Sequence, residues 1–134
     1  VKLTEFCEKS IGVPFVEHGR DSNGWDCWGL VCCAYKEIYG IDLPDFHEKY
    51  VSTTHINIVK KAVTDGIEYV LLNGWKLVDD QQEGDIVVFF MKGHSIHVGL
   101  AIDAYKVIHV EDGIETCLQK TTDFRTEGIY RHGC

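Results

Sequence analysis

The chain lacks any long apolar run. No stretch of its 134 residues approaches the roughly 20 successive apolar residues that a membrane-spanning helix needs, so membrane insertion is not expected. It also lacks clustered basic residues: 13 Lys and Arg stand against 21 Asp and Glu, a net charge of -8. Phosphate backbones are held by grouped cations, so nucleic acid is not an expected partner, and the acidic surface reads as a solubility feature. Repeats, low-complexity tracts and linkers are missing, and the two prolines are isolated. The opening VKLTEFCEKS has none of the marks of a signal peptide. Val1 is expected to follow a trimmed initiator Met or a late start. What remains, 45% hydrophobic and 25% charged, is ordinary for a globular protein, and residues 1–134 are read as one domain.

Six cysteines are present, but not in a disulfide pattern. Cys32 and Cys33 are adjacent within a helix-like run, and Cys7, Cys27, Cys117 and Cys134 are scattered. They read as reduced thiols of a protein made in a cytoplasm.

Residues 2–10 are expected to form a short helix. The polar loop EHGRDSNG then leads to Asp26, a good helix N-cap because its carboxylate accepts a free N–H from the first turn. The nearly all-apolar run from Cys27 to Tyr39 predicts a buried helix, stopped by Gly40. A further helix is expected over His55–Thr64, capped by Thr54 and ended by Gly66. From residue 75 the period changes: WKLV, DIVVFFM, SIHVGLAI, KVIHVE, TCLQ and GIYR are short β-rich runs between turn residues. Helices followed by an antiparallel sheet make an α+β fold, with the Cys27 helix packed across the sheet.

That order of elements permits nucleophilic chemistry. A thiol attacks as thiolate, and a helix N-terminus can lower its pKa. Cys27 sits at such a position, whereas Cys32 and Cys33 lie more than a turn further on. On this reading Cys27 is the cysteine that iodoacetamide labels first at pH 6 to 7. His97, at the start of a hydrophobic strand with Gly99 leaving room beside it, is a candidate base. His109 in the next strand, or a nearby acid such as Glu111, is a candidate group to orient it. His97 and His109 are an even number of residues apart, so they share a face only if the connection around Asp103-Ala104-Tyr105 is odd in length or bulged. A metal site is not expected. His94 and His97 are three apart on a strand and point to opposite faces, and no CxxC or HExxH pattern occurs. His94 is read as a loop residue at the cleft edge.

The segment GVPFVEHGRDSNGWDCWGLV resembles the nucleophile region of the NlpC and p-sixty peptidases, whose pattern is approximately G-x-P-Y-x-W-G-G followed by G-x-D-C-S-G-L-V. GDIVVFF, HSIHVGLAI and KVIHV resemble that family's second half. The resemblance covers roughly residues 10 to 110. It implies a papain-like α+β domain in which Cys27 is the nucleophile, His97 the general base and later acid, and His109 the group that orients His97. It also implies hydrolysis of amide bonds in peptidoglycan stem peptides, often between D-glutamate and the following diamino acid, with no cofactor.

The chain departs from the pattern at several positions. Phe15 stands for Tyr and lacks its hydroxyl, Glu17 and His18 replace Trp and Gly, and Trp28 replaces Ser after the nucleophile. This variant, with GIDLPDF following, resembles the branch encoded by tailed phages and prophages. The expected partners are therefore a stem peptide and tail-tip proteins, with action in the periplasm or cell wall from a virion tail. Of Trp25 and Trp28, one is expected in the core and the other, Trp28, nearer the substrate. His18 is expected in solvent but within reach of substrate, Arg20 beside a stem-peptide carboxylate, and Asp26 as a cap with a second role toward a substrate amine. The rival reading is a tail structural module with a vestigial site.

Overall fold

A computed structural model describes residues 2–44, 67–69, 71–91 and 94–132. The helix expected over His55–Thr64 lies outside them, as does Cys134. Helix α1 spans Leu3–Ser10 and buries Leu3, Phe6, Cys7 and Ser10, whose three- and four-residue spacing makes one face of a helix. Two short strands, β1 (Arg20–Asp21) and β2 (Gly24–Trp25), pair antiparallel and lead into α2, Cys27–Ala34. The apolar run does not stay α-helical to its end. Tyr35–Tyr39 widens into a π-helical turn, which stops at Gly40 with φ of 68°, a left-handed conformation that glycine adopts without cost. No described helix is long and apolar enough to cross a membrane.

The six expected β runs form one sheet. β3 (Lys76–Val78), β4 (Ile86–Met91), β5 (His94–Ala101), β6 (Lys106–Glu111), β7 (Ile114–Lys120) and β8 (Arg125–Arg131) lie in the order β3-β8-β4-β5-β6-β7. Every pairing is antiparallel. His94 opens β5 and is not in a loop. Val88, Val98, Leu100, Ile108 and Val110 join Leu30, Val31, Ala34 and Phe6 in the main core, so α2 lies across β5 and β6. Val87, Phe89, Ala101 and Val107 make a second cluster with Phe124 and Ile129. Between the register shifts at Val88/Phe89, Phe89/Phe90 and His109/Glu111, the alternation along the strands sends even positions toward α2 and odd positions to the other face.

The loop before α2 is held by close backbone approach. A Cβ on Gly29 would come within 2.1 Å of the Gly19 carbonyl oxygen, so the residue two after Cys27 must be glycine for the loop to lie against the helix. Trp25 stacks on Phe6 and donates its Nε1–H to Thr116 Oγ1 at 2.8 Å, tying the same loop to α1 and β7.

Candidate active site

Asp26 builds the start of α2. Its Oδ1 accepts from the Gly29 N–H at 2.8 Å and from Arg20 Nη1 at 2.8 Å, and its Oδ2 accepts from the His18 N–H at 3.1 Å. The expected cap is present. The second role given to Asp26 is corrected, because the residue is 0% exposed and both oxygens are occupied within the protein. Arg20 Nη1 is engaged by Asp26 and the Gly19 carbonyl, so its first duty is to hold the loop against the start of α2, with the side chain 19% exposed.

Cys27 opens α2 and is buried. The N–H groups of Val98 and Trp28 hydrogen-bond the sulfur. Ala101 exchanges backbone hydrogen bonds with the β4 side through Asp85 and Gly84, while Ile102 donates to Lys106. In an antiparallel ladder these directions alternate, so the Val98 N–H points toward β6. The β5–β6 pairs are Leu100 with Ile108 and Ala101 with Val107, and at Val98 the thiol meets the N–H. The helix end does not leave the thiol ionised. Burial first, and then the Asp26 carboxylate, push it up to about 12, against the smaller opposing pull of the two N–H groups and Arg20. The labelling order expected from sequence therefore does not follow from the resting site: the helix-end field acts on a desolvated sulfur beside its own anionic cap.

His97 and His109 share a face, because residues 102–106 between Ala101 and Val107 are odd in number. His97 Nε2 lies 2.9 Å from His109 Nδ1, and His109 Nε2 lies 2.9 Å from Gln119 Oε1. Both rings are buried and pack against Phe124, and His97 also against Phe89. They thus belong to the second cluster, while Cys27 approaches β5 from the α2 side at the neighbouring residue, Val98. Burial, then the neighbouring His109, hold His97 down at about 3, so it is a neutral imidazole at pH 7.

Gln119 is a residue that the sequence reading missed. Its amide oxygen accepts the His109 Nε2–H, leaving His109 Nδ1 to accept the His97 Nε2–H and His97 Nδ1 with a lone pair. The Gln119 amide nitrogen, 3.4 Å from Asp123 Oδ2, fits that orientation. No motif marks Gln119; only the register His109 with Cys117 and Val107 with Gln119 brings it near. If the chain sets the tautomer, His109→Ala lowers kcat, His109→Gln lowers it less, and Gln119→Ala falls between wild type and His109→Ala. Steady-state kinetics of the three variants checks the order; a Gln119→Ala loss equal to that of His97→Ala would contradict it.

The remaining candidates surround the start of α2. Phe15 is half-buried, forms a parallel bridge with Trp25 and packs on the core. His18 is half-buried, not in solvent as expected, with φ of 59°, a region in which histidine is enriched among non-glycine residues. Trp28 is half-buried and donates its Nε1–H to the Pro44 carbonyl at 2.8 Å. Trp25 takes the core position. The five described cysteines are free thiols. Among the described residues, His97, His109 and Glu111 bring ligand atoms within 4.8 Å of one another. That cluster was invisible to a search for local metal spacing because it spans two strands.

Residues 12–127 match the NlpC/P60 family. The chain belongs to that family. Its members are cysteine peptidases and peptidoglycan hydrolases. No curated protein matches in sequence. Among solved structures, the chain is similar to the NlpC/p60 domain of the peptidoglycan hydrolase SagA, with 20% identity, TM-score 0.64, and coverage of 94% of this chain and 92% of that one. It is also similar to an NlpC/P60 family protein from Bacillus cereus, with 21% identity, TM-score 0.66, and coverage of 99% and 40%. For the peptidoglycan hydrolase RipB from Mycobacterium tuberculosis the values are 16% identity, TM-score 0.59, and coverage of 96% and 61%. The chain thus spans nearly all of the first domain but less than two thirds of the other two proteins. These likenesses show the α+β papain-like fold of the family.

Proposed function

We propose that this chain is a cysteine endopeptidase acting on peptidoglycan stem peptides, with Cys27 as nucleophile, His97 as general base and acid, and His109 as the group that orients it. The observation that carries this reading is the placement of the Cys27 thiol, at the start of a buried helix, on the β5 amide next to His97. The His97–His109–Gln119 chain leaves the lone pair on His97 Nδ1. Resting thiol and imidazole are both neutral and no hydrogen bond joins them in the described structure, so His97 has to reach the thiol from its place beside Phe89 and Phe124 to take the proton as sulfur attacks the carbonyl carbon. His97 then returns it to the leaving amine, and water hydrolyses the thioester by the reverse exchange. The favoured bond joins D-glutamate to the diamino acid. A tail-borne enzyme that opens the wall locally suits the D-C-W-G-L-V variant, made in a bacterial cytoplasm and acting in the periplasm or wall.

Hydrolysis needs a donor for the developing oxyanion. Phe15 cannot donate, so the Cys27 N–H, one of the unpaired amides of a helix start, carries more of that role, with His18 as the candidate helper and Trp28 shaping the groove. Phe15→Tyr is expected to raise kcat by up to about tenfold, a fraction of the ~10²–10³ that an oxyanion donor carries. An unchanged rate in Phe15→Tyr with a loss in His18→Ala would transfer the donor role to the loop histidine. The second reading, an assembly module with a spent site, is favoured by one observation: the buried thiol sits beside the Asp26 carboxylate and is held well above the usual cysteine range. Wall digestion by purified protein separates the two.

A further inference from the structure

We propose that His97, His109 and Glu111 form a zinc-binding site, and that occupancy switches the peptidase off by consuming the base. The inhibitory half rests on the proposed role of His97; metal binding does not.

The geometry comes from the sheet. β5 and β6 pair at Ala101–Val107 and Leu100–Ile108, and His97, His109 and Glu111 lie beyond those pairs at the same end of the two strands, with a register shift between His109 and Glu111. A Cβ on Gly99 would meet Phe89 at 3.2 Å and the Ile108 carbonyl oxygen at 3.3 Å, so the glycine lets this part of β5 pack closely. Ligand atoms of the three residues lie within 4.8 Å of one another, with the two imidazole nitrogens 2.9 Å apart. Zinc bonds of about 2.0–2.2 Å in a tetrahedral shell place ligand atoms roughly 3.3 Å apart, so small side-chain adjustments close the set. Two imidazoles and a carboxylate suit zinc or cobalt and not the oxygen-seeking Mg²⁺.

An independent observation points the same way. Glu111 Oε2 is buried and has no hydrogen-bond partner among the described residues, a costly state for a carboxylate oxygen that a cation relieves. Gln119 would stay on His109 Nε2 as the outer partner that fixes a metal-bound imidazole. Phe89 and Phe124 wall the site, and the Cys117 sulfur lies 3.7 Å from His109 Nε2.

Binding also explains the switch in proton terms. His97 coordinates through Nε2, so the proton it carries there moves to Nδ1. Zinc then holds one nitrogen and the proton the other, and no lone pair is left for the thiol proton.

The test is titration of metal-free protein with Zn²⁺ by calorimetry and with Co²⁺ by absorption spectroscopy. One equivalent should bind, with tetrahedral cobalt bands and no thiolate charge-transfer band. Glu111→Gln, which keeps shape and volume, should weaken binding by more than the roughly 10–100-fold that outer partners alone are worth. Wild-type wall digestion should stop at one equivalent of zinc and return with EDTA. A thiolate charge-transfer band, or unchanged affinity in Glu111→Gln, would overturn the site. Binding as described with digestion indifferent to zinc would overturn the switch. Binding as described by a folded protein that never digests any wall would leave the site standing, and the peptidase reading would fail.

Discussion

His97→Ala abolishes turnover, by about 10²–10⁴-fold or more, while leaving the thiol in place. The size comes from the resting site. With the Cys27 thiol pushed up to about 12, only about one sulfur in 10⁵ is ionised at pH 7, so attack depends on a base that removes the proton as the bond forms. His97, held down at about 3, is neutral from mild acid upward. The pair therefore stays thiol and imidazole between about pH 3 and pH 12, and its ionisation imposes no bell shape on kcat across the neutral range. Alkylation of Cys27 by iodoacetamide should correspondingly rise about tenfold per pH unit from 6 to 9, in step with the thiolate fraction. A labelling rate that is flat down to pH 5 would instead mark a resting thiolate–imidazolium pair. Activity of His97→Ala equal to wild type would move the base elsewhere, with His18 and His94 next in line.

Asp26→Ala should destabilise the fold by about 3 kcal/mol, the lower end of the cost of removing one partner from a buried ion pair. Asp26 is fully buried and the Arg20 side chain is 19% exposed, so Arg20 would be left partly desolvated without its counter-charge. The cap on Gly29 and the acceptor for the His18 N–H go at the same time, and an N-cap alone is typically worth ~1 kcal/mol. Asp26→Asn should cost less, because an amide oxygen still caps the helix. It should also speed Cys27 alkylation, since the neighbouring negative charge is gone. Urea unfolding of both variants checks the order, and Asp26→Ala within about 0.5 kcal/mol of wild type would show that Arg20 finds another partner.

Much of the fold and the site was legible in the chain. Period-two runs from residue 75 onward correspond to the six strands, and the all-apolar run after Asp26 to the buried helix. The even separation of His97 and His109 made a shared face depend on an odd connection, and residues 102–106 are odd in number. Four things were not legible. The change from α-helix to π-turn at Tyr35 reflects no residue preference. The capture of Arg20 by Asp26 depends on how the β1–β2 hairpin folds back over α2, so both looked available to substrate. The ionisation of Cys27 was misjudged because a helix-end argument counts the dipole but not the desolvation and the anionic cap that accompany it. Gln119 reaches His109 only through strand register, which local spacing does not encode.

Cleavage of stem peptides by Cys27 is the proposed activity. Its most direct measurement is digestion of purified peptidoglycan of the common wall types by wild type and by Cys27→Ala, with mass analysis of the released products. Wild type is expected to release fragments carrying a new amino terminus on the diamino acid, with glycan strands intact, and Cys27→Ala to release none. No stem-peptide fragment from any wall type, with a folded wild-type protein, would contradict the claim and leave the structural or assembly role in its place.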